Sequence, residues 1–210
     1  MLAGERLIAD HGVDGASLRQ IGALAGQGNN SAVHYHFGDK NALIRAIFEH
    51  RLPRLRERRA RLIAEGAPSD LHGWLECQVR AVLEESESPD SHYMSFLASL
   101  IQHDGEAFAH QPVEYIDAQR EFEERLRAHL THIDEPLRSH RLALAMALIV
   151  HAAADRERAI AQRRAVLPFE VELGNLVDGM AGFLEVPVSA ITQGALANAD
   201  RGRFGRTLFV

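Results

Sequence analysis

Residues 17–43 read SLRQIGALAGQGNNSAVHYHFGDKNAL, and the local chemistry of this stretch predicts three helix boundaries. Ser17 and Gln20 have the spacing of a capping box: the serine hydroxyl takes an early backbone N–H, and the glutamine reaches back to the cap. Leu18, Ile21 and Ala25 then share one helical face, and Gly26 ends it. Gln27 to Asn30 is turn chemistry. A short helix follows from about Asn30 or Ser31 to Phe37, with Val33 and Phe37 four apart and pointing inward. Gly38 closes it, and Asp39 caps a longer fourth helix whose stripe is Leu43, Ile44, Ile47 and Phe48. Upstream, Leu2 to His11 reads as a first helix with Leu7 and Ile8 inward and Gly12 as its C′ residue. Three short helices, the last two joined by a glycine-containing turn, predict a helix-turn-helix.

In that arrangement the later helix enters the major groove and the earlier one crosses the backbone. The outer side of the third helix is polar. Asn30, Ser31, His34 and Tyr35 can all donate or accept hydrogen bonds; asparagine pairs with adenine edges, and serine is less selective. His36 lies nearer the inward side and is as suited to packing as to contact.

The order Ser17-Leu18-Arg19-Gln20-Ile21-Gly22, Ala25-Gly26, then Val33-His34-Tyr35-His36-Phe37-Gly38-Asp39-Lys40-Asn41-Ala42-Leu43 resembles the DNA-binding signature of the TetR family of transcriptional regulators. The likeness covers about residues 5–48. It departs at Gly22, where the family has alanine, in a turn one residue longer than usual, and at His34, which takes the tyrosine's place with Tyr35 following. The resemblance implies phosphate contacts from Ser17 and Arg19, base contacts from Asn30, Ser31 and His34 with Asn29 beside them, a phosphate or thymine-methyl contact from Tyr35, and a phosphate contact from Lys40 at the start of the fourth helix.

Apolar residues recur at helical spacing throughout, so the fold is expected to be all-α. Further helices are expected near Asp70–Ser86, Ser91–His103, Val113–Thr131, Glu135–Arg164 and Phe169–Leu184, with prolines at or near the joints. Pro53 is expected to kink or divide the fourth helix. The arginine-rich run Arg51 to Arg61 reads as a solvated helix face. The division expected is 1–48 as DNA-binding head, 49–187 as a larger ligand-binding and dimerisation domain, and 188–210 as a tail of open structure.

With 46% hydrophobic and 25% charged residues, the composition is that of a soluble globular chain. The net charge of −6 argues against an indiscriminate nucleic-acid binder but leaves room for a local DNA-binding face. Lys40 is the only lysine. Cys77 is the only cysteine, so neither an internal disulfide nor a cysteine zinc site is expected. The longest apolar run, Leu142 to Ala154, is broken only by His151 and falls short of the roughly 20 residues that span a membrane. The opening residues are mixed and polar rather than leader-like. A cytoplasmic protein without a cofactor or membrane partner is expected.

The family likeness implies a homodimer that holds a small-molecule effector. The stripes Leu142, Met146 and Ile149 of one late helix, and Leu173, Leu176, Val177, Met180 and Phe183 of the last, are the candidate dimer interface. Trp74, Met94, Phe96, Phe108, Tyr115, Phe122 and Met146 are candidates for an apolar effector pocket, with His103, His151 and Gln78 for polar contacts. The reading is thus a repressor that binds a palindromic operator and is released by a small apolar molecule. Two others stay open: a helical interaction module without DNA binding, and an all-α metal-dependent enzyme suggested by His103-Asp104.

Overall fold

Ile8, Leu43, Ile44, Ile47 and Phe48 are fully buried, and their burial is what gathers the N-terminal helices. A computed structural model describes residues 1–26, 32–103 and 111–199; among these the regular structure is helical throughout. Helix α1 (Leu2–Gly15) is interrupted at Gly12, which adopts φ 73° and ψ 172°. That left-handed φ is where glycine escapes the Cβ penalty, and it ends the helix proper as the sequence predicts. Helix α2 (Leu18–Leu24) starts from Ser17. Helix α3 (Ala32–Phe37) is followed by Gly38 at φ 74°. Helix α4 (Lys40–Gly66) is capped by Asp39, whose Oδ1 accepts the Ala42 N–H at 2.7 Å.

Helix α4 has 27 residues, with Pro53 inside it. The helix is not divided there, so of the two expected outcomes, a kink or a division, the second does not occur. A proline removes one backbone bond and crowds the preceding turn; here Leu52 and Leu55, both buried, keep the flanking turns seated on the core.

The remaining helices are α5 (Leu71–Ser86), α6 (Tyr93–His103), α7 (Val113–Ala128), α8 (Leu137–Ala161), α9 (Phe169–Glu185) and α10 (Ala190–Asn198). The first five lie where the sequence periodicity expects helices; α10 falls in the stretch left open. Helix α6 is the centre of the packing. It lies between α1 on one side and α8 on the other, and Tyr93, Met94, Phe96 and Leu100 are all fully buried. Its N-terminus is capped from a distance: the Glu157 carboxylate on α8 accepts the Met94 and Ser95 N–H groups, both at 3.0 Å. Those are donors that a helix start leaves without intrahelical partners.

The arginine run of α4 is a solvated face only in part: Arg54, Arg56 and Arg61 are exposed, while Arg51, Arg58 and Arg59 are engaged with other helices. Arg51 makes a bidentate pair with Glu5 of α1, at 2.8 and 2.7 Å. Arg58 does the same with Glu84 of α5, at 2.6 and 2.7 Å. Arg54 reaches Glu85 at 3.6 Å. Arg59 is buried and donates to Gln78 and Gln119 at 3.0 and 2.9 Å. A run of cations is stable beside an acidic neighbour, and α5 supplies one; that pairing depends on residues far away in the chain.

Candidate functional site

Helices α2 and α3 present the predicted nucleic-acid surface. Ser17 completes the capping box: its hydroxyl oxygen accepts the Gln20 N–H at 3.2 Å, and the Gln20 side-chain oxygen accepts the Ser17 N–H at 3.0 Å. The same oxygen also accepts the Ser17 hydroxyl proton at 2.6 Å. Ser17 thus fixes where α2 begins, and it remains exposed. Arg19, one residue into the helix, is also exposed, with no acidic side chain within ion-pair distance among the described residues.

On α3, His34, Tyr35 and His36 are exposed and Phe37 is tucked against the core. Tyr35 is 86% exposed, so its ring does not pack against the core of its own chain. His36 stands edge-on to it, with ring centroids 5.7 Å apart. His36 therefore belongs to the outer face, which sequence spacing left undecided. Asn29, Asn30 and Ser31 lie outside the described residues.

Lys40 is half-buried, and its ammonium donates to the Val13 carbonyl at 2.8 Å. Position alone did not suggest this bond. It ties the start of α4 to the end of α1, and an ammonium has further donors to offer a phosphate.

The charge pattern of the head differs from that of the body. Between Asp14 and Asp39 the chain has no acidic residue. Over residues 1–47, Arg6, Arg19, Lys40 and Arg45 balance Glu5, Asp10, Asp14 and Asp39, so the whole negative balance of the chain sits elsewhere. A neutral head on an acidic body lets a polyanion approach at one end only.

Residues 1–47 match the family of bacterial regulatory proteins called the tetR family. The head belongs to that family. The chain is accordingly a DNA-binding transcriptional regulator, with α2 and α3 as its helix-turn-helix. No curated protein matches the chain. No helix among the described residues is long and apolar enough to cross a membrane.

The body of the chain divides the predicted effector residues into two groups. Met94, Phe96 and Met146 are core residues, 0%, 0% and 5% exposed. They sit in the core that α6 forms with α1 and α8, and none of them lines the cleft described next. Trp74 and Phe122 instead meet edge-on, 5.9 Å between centroids, at a cleft of about 340 Å³ between α4, α5 and α7. Arg56, Arg59 and Arg125 also line it, with Ala60, Ile63 and Glu121. The Arg59 guanidinium sits 4.5 Å above the Phe122 ring. Gln78 is engaged as the acceptor for Arg59. The His151 ring nitrogen Nδ1 lies 2.8 Å from the Ala147 carbonyl of its own helix. Phe108 and the side chains of His103 and Tyr115 lie outside the described residues.

The predicted dimer stripes need correction. Leu142, Met146 and Ile149 of α8, and Leu173, Val177 and Met180 of α9, are at most 5% exposed within the single chain. They form its own core, where a partner has no access. Leu176 is partly buried against the same core, and of the expected set only Phe183, at 37%, is exposed. The exposed apolar residues of α8 are Leu144 and Leu148, four apart and on the opposite side of the helix from the buried stripe. Both faces of α8 are apolar, so periodicity alone did not say which one turns inward.

Proposed function

We propose that this regulator is a repressor that binds a near-palindromic operator as a homodimer and leaves it when a small molecule occupies the body. The exposed outer face of α3 carries the DNA half of this reading. Tyr35, His34 and His36 project from a helix whose other side is seated on the core, and Arg19 stands free on the preceding helix. In this reading Asn29, Asn30, Ser31 and His34 face bases, Tyr35 meets a phosphate or a thymine methyl, and Ser17, Arg19 and Lys40 hold phosphates.

Selection of bound duplexes from random DNA, followed by gel-shift titration, tests it. The enriched sequence should be close to palindromic, since two heads related by a two-fold axis read two half-sites. Tyr35→Ala should lower affinity about tenfold without changing helicity. Lys40→Ala should reduce the salt slope by about one unit. If both variants bind as tightly as the parent, the assignments are lost.

The dimer half rests on Leu144, Leu148 and Phe183 at the surface of α8 and α9. Gly179 and Gly182 support it, since a Cβ built at either would meet nothing within 4 Å. A helix of a second copy can approach such a face closely. The double variant Leu144→Glu, Leu148→Glu should sediment as a monomer; a parent protein that is already monomeric at micromolar concentration overturns the dimer.

The effector half places the small molecule in the cleft at Trp74 and Phe122. Helix α4 forms one wall of that cleft and also begins in the head, so a ligand that prefers one setting of α4 changes the population of DNA-competent heads.

A further inference from the structure

The cleft against Trp74 and Phe122 has a charge pattern that does not fit a wholly apolar occupant. Four of the seven arginines of α4 are neutralised: Arg51 by Glu5, Arg54 by Glu85, Arg58 by Glu84 and Arg61 by Glu57. The two exposed arginines at the mouth of the cleft, Arg56 on α4 and Arg125 on α7, have no carboxylate within ion-pair distance among the described residues. Glu121 also lines the cleft, yet it lies beyond ion-pair distance of either. The mouth therefore carries excess positive charge in a chain of net charge −6. Behind it the wall is apolar and aromatic, and Arg59 is held rigidly over Phe122 by its two glutamine acceptors.

We propose that the cleft takes an anionic amphiphile: a small molecule whose hydrocarbon or aromatic body lies against Trp74, Phe122 and Ile63 and whose carboxylate is received by Arg56 and Arg125. Arginine suits this task because its planar donor pair matches a carboxylate, and an oppositely charged hydrogen bond is stronger than a neutral one. The volume of about 340 Å³ falls at the small end of the range for ligand sites. The inference rests on the effector reading above, and it narrows the apolar molecule expected from sequence to one with an acidic head.

Trp74 is the only tryptophan in the chain, so its fluorescence reports occupancy directly. The probes are 4-phenylbutyrate and decanoate, each set against its alcohol, 4-phenylbutan-1-ol or 1-decanol, with the full-length protein. Each acid should change Trp74 emission saturably and bind about tenfold more tightly than its alcohol. The variant Arg56→Gln, Arg125→Gln should abolish that preference, and Arg56→Lys, Arg125→Lys should keep part of it. In the parent protein, raising salt from about 0.05 to about 0.5 M should weaken the acids and spare the alcohols, a readout that needs no variant. Equal binding of acid and alcohol, a preference that survives in the glutamine variant, or no saturable change with either acid overturns the proposal. A gel shift with the selected DNA separates the two readings. Acids that bind at Trp74 without releasing DNA leave the anion site standing and remove the effector role. Release by an alcohol with no acid binding does the reverse.

Discussion

The two ends of this chain are held in opposite ways. At the N-terminal end, the seam between head and body is fastened by buried polar contacts. Glu5 is 0% exposed and bonded to Arg51, and Ser99 of α6 donates to the Ile8 carbonyl at 3.0 Å. Arg51 also lies 5.6 Å over the Tyr93 ring. At the C-terminal end, α10 has no buried residue at all, and Ile191 is 86% exposed. A buried ion pair holds two elements in one relative setting, since any other leaves a charge out of water without a partner. The head is thus locked to α6 and α4, and reorienting it requires those helices to move. Among the described residues, α10 buries no side chain that would impose a setting on it.

The sharpest way to break that contrast is Glu5→Ala, which strands the Arg51 guanidinium in a largely buried site. It should cost about 3 kcal/mol in urea unfolding, the largest loss expected of any single change considered. A loss below about 1 kcal/mol would mean that the seam is apolar in its energetics and the pair incidental. Glu157→Ala removes the distant cap of α6 and should cost about 2 kcal/mol, because two buried N–H groups lose their acceptor. Hydrogen exchange should then quicken at Met94 and Ser95 before the rest of α6; uniform protection would place the cap outside the energetics of the seam.

Glu123 on α7 sharpens the comparison from inside the body. It is 6% exposed, and burial pushes its carboxyl above the ordinary range despite the Gln119 amide and the nearby Arg127, Arg59 and Arg120. Its folded value therefore exceeds its unfolded one. The ionised group weakens the fold, so stability is full below the unfolded value and falls as pH rises through the folded one. Glu123→Gln should accordingly be more stable than the parent at pH 7, and the gain should vanish in acid, where both states are neutral. A gain that persists unchanged in acid would point to packing instead of charge. The smallest effect belongs to the other end of the chain. Ending it at Pro187 should alter the unfolding free energy by less than about 0.5 kcal/mol, as expected for surface changes that touch no core. A larger loss at constant protein concentration would show that α10 is covered by something, and its dependence on concentration would identify a second copy.

Those contrasts also separate what was legible before the structure. The caps at Ser17 and Asp39 and the stop at Gly12 were readable because each is a bargain between residues within one turn of each other. Helices α5 to α9 were readable to within a few residues because periodicity is local too. The arginine run was correctly read as solvated only in part, because Glu5, Glu84, Gln78 and Gln119, which receive Arg51, Arg58 and Arg59, come from other helices. The dimer stripes were misread for a related reason. Helix α8 is apolar on two sides, and only its packing against α6 and α9 shows that Leu142, Met146 and Ile149 face inward while Leu144 and Leu148 do not. Met94 and Phe96 were picked by residue type alone, and only the packing of α6 between α1 and α8 shows that they sit in the core.

By itself, then, the sequence determined the all-helical fold and the DNA-binding head, since helix starts, stops and the short-range order of a helix-turn-helix are set by neighbours in the chain. Tertiary structure decided which charges are neutralised, which apolar face is left outward, and where a cleft opens with two arginines to spare at Arg56 and Arg125. Those are properties of surfaces that meet, and the residues that meet are as many as 106 positions apart, as His72 and Asp178 are.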